Sequence, residues 1–132
     1  MCVGMWVSTP FGTSATADVY KGQCLTVGGA HQVNEVGIRR GKCDFALFCA
    51  DMSRCYREQL QNIVIMNSVD GVRAAAEFTV LGTYLEADAG LPDAHGQRYI
   101  LPAGSFFSLR DGKISRVVTY YNLSDWVRQV SA

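Results

Sequence analysis

The sequence lacks a net charge, a long apolar run and a basic leader, and each absence excludes a class of function. Twelve Lys and Arg balance twelve Asp and Glu, whereas nucleic-acid and anionic-membrane partners favour a basic face, so we expect neither. No apolar run approaches the roughly 18 residues that a transmembrane helix needs. Residues 1–7 are apolar but carry no Lys or Arg and soon meet Pro10. That pattern is unlike a secretory signal, and we expect a cytoplasmic location.

The cysteines are odd in number, at five, and include no Cys-x-x-Cys pair. Cys43, Cys49 and Cys55 recur at intervals of six within one predicted helix. At about 100° per residue this interval spreads them around the helix, so they are poorly placed to share a metal. Free thiols are the expected state in the cytoplasm, and no His stands at a spacing that supports a catalytic thiol. We expect no metal and no organic cofactor.

Length and composition indicate one ordered domain that spans residues 1–132. The chain is 48% hydrophobic and 18% charged, which is typical of a globular protein rather than a disordered one. Residues 1–30 are rich in Gly, Ser, Thr and Ala and show no helical period. We expect irregular or weakly extended structure there.

Two Asp-Gly dipeptides, Asp70-Gly71 and Asp111-Gly112, predict tight turns between strands, because this pair favours positive φ. Apolar, β-branched and aromatic residues flank both dipeptides. The long run before the polar loop of residues 86–97 contains Gly82, which we interpret as a bend. The predicted strands are residues 63–67, 72–85, 98–110 and 113–122.

Helices are predicted on both sides of these strands. Residues 31–41 read as a strand interrupted at Gly37, and a helix then runs from Gly41 to about Glu58 with apolar residues at i, i+3, i+4 and i+7. A short helix that carries Trp126 follows the last strand, with Ser124 or Asp125 as its cap. Segregated helices and antiparallel strands predict an α+β fold.

Four features of the C-terminal half resemble one family. They are Gly82-Thr83-Tyr84, the Gly96–Pro102 loop exit, Phe107 shortly before Asp111-Gly112, and Tyr120-Tyr121-Asn122 before the final helix. Together with residues 31–52, this order is similar to the nuclear transport factor 2-like superfamily. The resemblance covers about residues 31–130 and is nearest to the ketosteroid-isomerase-related, SnoaL-like polyketide-cyclase-like branch.

The resemblance implies a cone, in which a curved sheet wraps around helices and leaves an apolar pocket open at one end. Such pockets hold steroid- or polyketide-like small molecules, and homodimers through the outer sheet face are common in the superfamily. Two amphipathic helices normally open the chain and close the cone. Residues 1–30 do not read as those helices, so we expect this segment to be either a divergent cap or a replacement of the family's usual start.

The resemblance also suggests candidate catalytic residues. The family's isomerases use a carboxylate base, with a tyrosine and a protonated acid that stabilise the enolate. Matching residues 33–37 to the base strand places Asn34 at the base position with Glu35 beside it, and Ser105 falls at the acid position. An amide is not basic, so the isomerase mechanism is not carried over. His31, near the predicted pocket mouth, and Glu35 are the remaining candidates for proton transfer.

Strand alternation predicts the pocket wall, because alternate residues share a face. The alternative is that these side chains simply fill the core. Glu77 falls on the opposite face, and His95 lies in the polar loop. Tyr56, on the predicted helix, is placed to direct its hydroxyl into the cavity or to pack. The residues predicted to face inward are Phe78, Gly82, Tyr84, Leu101, Ala103, Ser105, Phe107, Thr119 and Tyr121.

Two functions follow from this pattern. The first is a cofactor-independent isomerase, cyclase or dehydratase in which His31 or Glu35 moves the proton and Tyr84, Ser105 or Tyr121 donates hydrogen bonds. The second is a non-catalytic small-ligand-binding or dimerisation module with the same pocket. The missing carboxylates favour the second function, and the hydroxyls along the predicted wall favour the first.

Overall fold

The computed structural model describes residues 31–34, 37–111 and 113–132, and of residues 31–42 and Phe45 the backbone alone. The predictions for residues 1–30, for Glu35 and for the side chains of His31 and Asn34 therefore lie outside the described part. The elements, in chain order, are β1 (His31–Asn34), β2 (Gly37–Arg40), α1 (Gly41–Cys55), β3 (Tyr56–Asn67), β4 (Arg73–Tyr84), β5 (Arg98–Arg110), β6 (Lys113–Tyr121) and α2 (Leu123–Val130).

The six strands form one sheet in the order β2-β1-β6-β5-β4-β3. Strands β3 to β6 run as an antiparallel meander, β1 pairs with β2 antiparallel, and β1 pairs with β6 in parallel. Helices lie before and after the meander, so the predicted α+β class is confirmed. Neither helix of the described part is long and apolar enough to cross a membrane.

The boundary between α1 and β3 differs from the prediction. The helix ends at Cys55, and Tyr56 begins a strand of 12 residues, so Tyr56 does not lie on the helix. Tyr56 pairs with Tyr84, and residues 56–60 alternate between buried and exposed. The spacing of Cys55 and Tyr56 fits a helical stripe, but pairing with β4 satisfies the backbone of this segment instead. The strand predicted from Ile63 thus begins seven residues earlier.

Residues 31–40 also differ from the prediction of one interrupted strand. They form two strands that pair antiparallel, with His31 opposite Arg40 and Asn34 opposite Gly37. Gly37 is therefore the first residue of β2 rather than an interruption within a single strand.

Both Asp-Gly turns are confirmed where the structure describes them. Gly71 has φ +72 and its N–H donates to the Ser68 carbonyl at 3.0 Å. The Asp70 carboxylate accepts the Ser68 hydroxyl at 2.6 Å and the Val72 N–H at 3.2 Å. Asp111 has φ 52 between β5 and β6. The bonds of Ser68 and Asp70 close the turn that joins β3 to β4.

Gly82 provides room in the core. The register of β4 with β5 runs unbroken through Gly82 opposite Tyr99, whereas the register shifts fall between Gln61 and Val64 and between Ser108 and Leu109. A Cβ on Gly82 would overlap Cζ, Cε2 and Oη of Tyr99. The ring of Tyr99 thus occupies the space that any other side chain at position 82 would need.

Helix α2 is capped by Asn122, whose side chain accepts the Asp125 N–H at 3.0 Å. The prediction of Ser124 or Asp125 as the cap is wrong, because the helix begins at Leu123. Trp126 of this helix is buried, with its ring edge-on to those of Tyr56, Tyr84 and Tyr99. Gln129 of α2 bonds the start of β5, where its side chain accepts the Ile100 N–H and donates to the Ile100 carbonyl, each at 2.9 Å.

Candidate active site

A cavity of about 480 Å³ opens between α1, the loop of residues 85–97 and the start of α2. Phe48 and Met52 line it from the helix, Leu91 from the loop and Trp126 from α2. Its polar groups are the hydroxyls of Tyr56 and Tyr121 and three carboxylates, those of Asp44, Asp51 and Asp88. An apolar wall with a few polar groups is the usual composition of a small-molecule site.

Asp88 and Tyr56 form a hydrogen-bonded pair at this cavity. The Tyr56 hydroxyl donates to Oδ2 of Asp88 at 3.0 Å, and Oδ1 accepts the Ala89 N–H at 2.9 Å. Tyr56 is 2% exposed, whereas Asp88 is half-buried. Burial raises the pKa of Tyr56, and the charge of Asp88 and their hydrogen bond raise it further. The phenol therefore keeps its proton, and Asp88 is the acceptor of the pair.

Aromatic packing fixes the position of Tyr56. Its ring stacks on Tyr84, its cross-strand partner, with centroids 5.2 Å apart and planes 17° from parallel. Trp126 meets both rings edge-on, at 5.9 Å and 5.0 Å. Such contacts stabilise beyond the area that they bury. The three rings form a rigid base beneath the cavity.

The fold is similar to those of solved structures of known proteins. No protein-family profile matches the chain, and no curated protein matches it. A solved structure from Silicibacter sp. TM1040, described as a candidate polyketide cyclase, is 55% identical with a TM-score of 0.81, covering 88% of this chain and 89% of that one. The chain belongs to the SnoaL-like branch of the nuclear transport factor 2-like superfamily.

Two further structures agree with this SnoaL-like assignment. A candidate polyketide cyclase from Pseudomonas putida KT2440 is 50% identical, with a TM-score of 0.80 and coverage of 86% of this chain and 90% of that one. A candidate SnoaL-like polyketide cyclase from Jannaschia sp. CCS1 is 19% identical, with a TM-score of 0.70 and coverage of 90% and 81%. At that identity the last likeness shows the fold alone.

In this SnoaL-like chain, only some of the predicted pocket residues line the cavity. Tyr56 and Tyr121 do, and Tyr121 is 8% exposed. The others predicted from strand alternation are buried or half-buried in the core, as expected for one face of the sheet. Their roles toward a ligand remain predictions, as do those of His31, Asn34 and Glu35. The predicted residues within the core are Phe78, Tyr84, Leu101, Ala103, Ser105, Phe107 and Thr119.

Of the hydroxyls predicted as ligand donors, those of Ser105 and Tyr84 have hydrogen-bond partners inside the protein. The oxygens of Ser105 and Thr119 lie 2.9 Å apart in a buried hydrogen bond. The Tyr84 hydroxyl donates to the Pro92 carbonyl at 2.9 Å and accepts the Asp88 N–H at 2.8 Å. These groups satisfy one another and hold the sheet and the loop in place.

Two acidic residues of the SnoaL-like chain escaped the sequence analysis. Glu58 is 3% exposed and accepts the Tyr99 hydroxyl at 2.5 Å. Assigning residue 58 to a helix concealed it, although its place between Tyr56 and Leu60 in a strand would have turned it inward. Asp88 lies in a loop without periodicity, and no local signal distinguishes it from the loop's other carboxylates. Glu77 and His95 are exposed, as predicted.

The thiols of the described helix do not form a cluster. Cys43 is exposed, whereas Cys49 and Cys55 are buried, and none of the three is joined in a disulfide. Burial raises the pKa of the Cys55 thiol, which makes it a poor nucleophile. Within the described residues, no group of three or more His, Cys, Asp or Glu is placed to hold a metal ion.

Proposed function

We propose that the chain is a cofactor-independent acid–base enzyme of the cyclase or isomerase type that acts on a polyketide- or steroid-like ketone. The observation that supports this proposal is a carboxylate, Asp88, held by the Tyr56 hydroxyl at 3.0 Å on the wall of a largely apolar cavity of about 480 Å³. Relatives at 55% and 50% identity that are described as candidate polyketide cyclases support the same class. Asp88 takes the role for which the sequence offered His31 or Glu35.

In the proposed reaction, Asp88 removes a proton from the carbon next to a ketone, and the electrons of that C–H bond move onto the ketone oxygen. The enolate carbon then attacks a second carbonyl of the same molecule, which forms a C–C bond and leaves an alkoxide. Protonated Asp88 returns its proton to this alkoxide. Tyr56 holds the carboxylate, and the Tyr121 hydroxyl at the cavity wall is the proposed donor to the enolate oxygen.

Proton abstraction can be tested without knowing the natural substrate. In D₂O, 2-tetralone exchanges the hydrogens next to its carbonyl, and proton NMR follows the loss of their signal. We expect the wild-type protein to accelerate this exchange. Asp88→Asn keeps the shape but not the base, so the acceleration should fall by about 100-fold or more, the usual contribution of a positioned base.

Asp93→Asn is the matched control, because Asp93 is an exposed aspartate of the same loop that does not line the cavity. Its exchange rate should equal that of the wild type. If Asp88→Asn exchanges 2-tetralone as fast as the wild type, Asp88 is not the base. Asp44 and Asp51, which also line the cavity, and then His31 and Glu35 would be substituted in its place.

The second candidate is a binding module without turnover. It is favoured by the Tyr56–Asp88 hydrogen bond, which already engages both polar groups without a ligand. On this alternative, 2-tetralone raises the melting temperature by binding the native state, yet the wild-type protein does not accelerate exchange.

A homodimer through the outer sheet face is also part of the proposal. Ile100, Phe106 and Tyr120 are 59%, 45% and 62% exposed, and the rings of Phe106 and Tyr120 meet at 5.8 Å. An exposed apolar strip of this kind favours association. Phe106→Glu should shift sedimentation toward the monomer, whereas Val69→Glu, in the exposed turn before β4, should not. We also propose a cytoplasmic location, which is supported by the reduced thiols of Cys43 and Cys55.

A further inference from the structure

Tyr84 is a polar side chain that the proposed reaction does not use directly. It is 0% exposed at the end of β4, and its hydroxyl bonds two points of the following loop. It accepts the Asp88 N–H at 2.8 Å and donates to the Pro92 carbonyl at 2.9 Å. One hydroxyl thus ties residues 88 and 92 to the rigid aromatic base of the cavity.

The direction of these bonds is fixed by their chemistry. A carbonyl can only accept, so the hydroxyl proton points to Pro92 and a lone pair remains for the Asp88 N–H. Burial raises the pKa of Tyr84, which keeps the phenol protonated at neutral pH. The Tyr84 hydroxyl therefore makes both hydrogen bonds, with Asp88 and with Pro92, at neutral pH.

The loop is also held just before Asp88, where the Leu85 and Glu86 N–H groups donate to the Cys55 carbonyl at 2.7 Å and 3.3 Å and Arg54 donates to the Glu86 carboxylate at 2.7 Å. None of these bonds is made by Asp88 itself.

At the base of the loop, the Tyr84 N–H donates to the Gln97 carbonyl at 2.8 Å and the Gly96 N–H donates to the Tyr84 carbonyl at 3.0 Å. The Leu91 N–H donates to the Asp88 carbonyl at 3.1 Å, a bond within the loop itself. Among the described residues, the Tyr84 hydroxyl is the only group of the sheet that hydrogen-bonds the Asp88 backbone.

We propose that Tyr84 is a positioning residue that sets the place of the Asp88 carboxylate at the cavity. Tyr56 holds the carboxylate of Asp88, and Tyr84 holds its backbone, so the stacked pair of tyrosines fixes the aspartate from both ends. A displacement of about 1 Å can cost a reaction roughly 100-fold. This inference rests on the proposed role of Asp88 as the base.

Tyr84→Phe tests the inference, because it removes one oxygen and keeps the ring that stacks on Tyr56. We expect the rate of 2-tetralone exchange at saturation to fall about tenfold, while the dissociation constant of 2-tetralone stays within about twofold. In the free protein, hydrogen exchange of the Asp88 amide, read by NMR, should become about tenfold faster once its acceptor is lost.

Thr79→Val is the matched control, since it removes a hydroxyl from a residue of the same strand that does not line the cavity, and it should alter neither the 2-tetralone exchange rate nor the hydrogen exchange of the Asp88 amide. The inference requires that Tyr84→Phe both slows the exchange of 2-tetralone and speeds the hydrogen exchange of the Asp88 amide. An unchanged exchange rate, or an unchanged Asp88 amide, overturns it. If the wild-type protein does not exchange 2-tetralone at all, the proposed function fails, and Tyr84 then has no catalytic base to position. The amide measurement would still show separately whether Tyr84 anchors the loop.

Discussion

A Gly82→Ala substitution adds one methyl group where the ring of Tyr99 already lies. The new Cβ would come well within 3.0 Å of three atoms of that ring, a distance that real Cβ atoms essentially never show. The ring cannot easily move aside. Tyr99 is 2% exposed, Trp126 meets it edge-on at 5.9 Å, and its hydroxyl donates to the buried carboxylate of Glu58 at 2.5 Å.

Two costs combine when the methyl group is added. Overpacking a filled core costs about 1–3 kcal/mol. Displacing the ring also weakens a hydrogen bond to a buried carboxylate, a class of bond worth about 1.5–3 kcal/mol. We therefore expect Gly82→Ala to lower the free energy of unfolding by about 3 kcal/mol or more, and the melting temperature by roughly 10 °C for a chain of this size.

Urea denaturation followed by circular dichroism measures this change. Gly104→Ala, on the neighbouring strand, is the control, because its nearest new contact is the Ala76 carbonyl at an ordinary 3.5 Å. That substitution should change stability by less than about 1 kcal/mol, as it adds neither a clash nor a buried polar group.

A double-mutant cycle isolates the clash from other effects of the substitution. Tyr99→Leu removes all three overlapping atoms, so Gly82→Ala should cost little in that background, with a coupling energy of about 2 kcal/mol or more. Equal costs of Gly82→Ala in the two backgrounds would refute the reasoning that the Tyr99 ring is what requires a glycine.

Two further predictions concern buried polar groups. Ser105→Ala leaves the Thr119 hydroxyl buried without its 2.9 Å partner and should destabilise by about 1–3 kcal/mol in urea; adding Thr119→Val should restore most of this loss, because both partners are then apolar. Burial and the charge of Glu58 raise the pKa of Tyr99 in the fold. An unfolded tyrosine ionises near about pH 10, so the stabilisation is present below that pH and is lost above it. The urea concentration at the midpoint of unfolding should decrease as the pH rises above about 10. This decrease should be less steep in Tyr99→Phe, and an identical dependence on pH in the two proteins would contradict this account.

Local chemistry made much of the fold predictable. The Asp-Gly dipeptides at residues 70 and 111 fix their turns through backbone conformations and nearby bonds, so the meander around them followed from the sequence. The end of α1 did not, because Cys55 and Tyr56 satisfy a helical stripe equally well. Pairing of Tyr56 with Tyr84, 28 positions later, decides that boundary, and such a long-range contact leaves no local pattern.

The candidate site was less predictable for a related reason. The residues of β4 to β6 that alternation turned inward are buried, apart from the half-buried Ala103, but alternation could not distinguish a cavity wall from a filled core. Ser105 and Thr119 bond each other, which only the register of β5 with β6 reveals. Hydrogen bonds with the hydroxyls of Tyr84 and Tyr56 hold Asp88 at the cavity, and both tyrosines lie on strands outside the loop that contains Asp88.

The paired bonds between Gln129 and Ile100 bear on how the molecule avoids aggregation. Strand β6 pairs with β5 only from Ala103 onward, so the first residues of β5 would present free backbone groups to any passing strand. The Gln129 amide offers one donor and one acceptor to Ile100, as a peptide group would. Gln129 of α2 thus occupies the backbone groups at the start of β5, which prevents a strand of another molecule from pairing there.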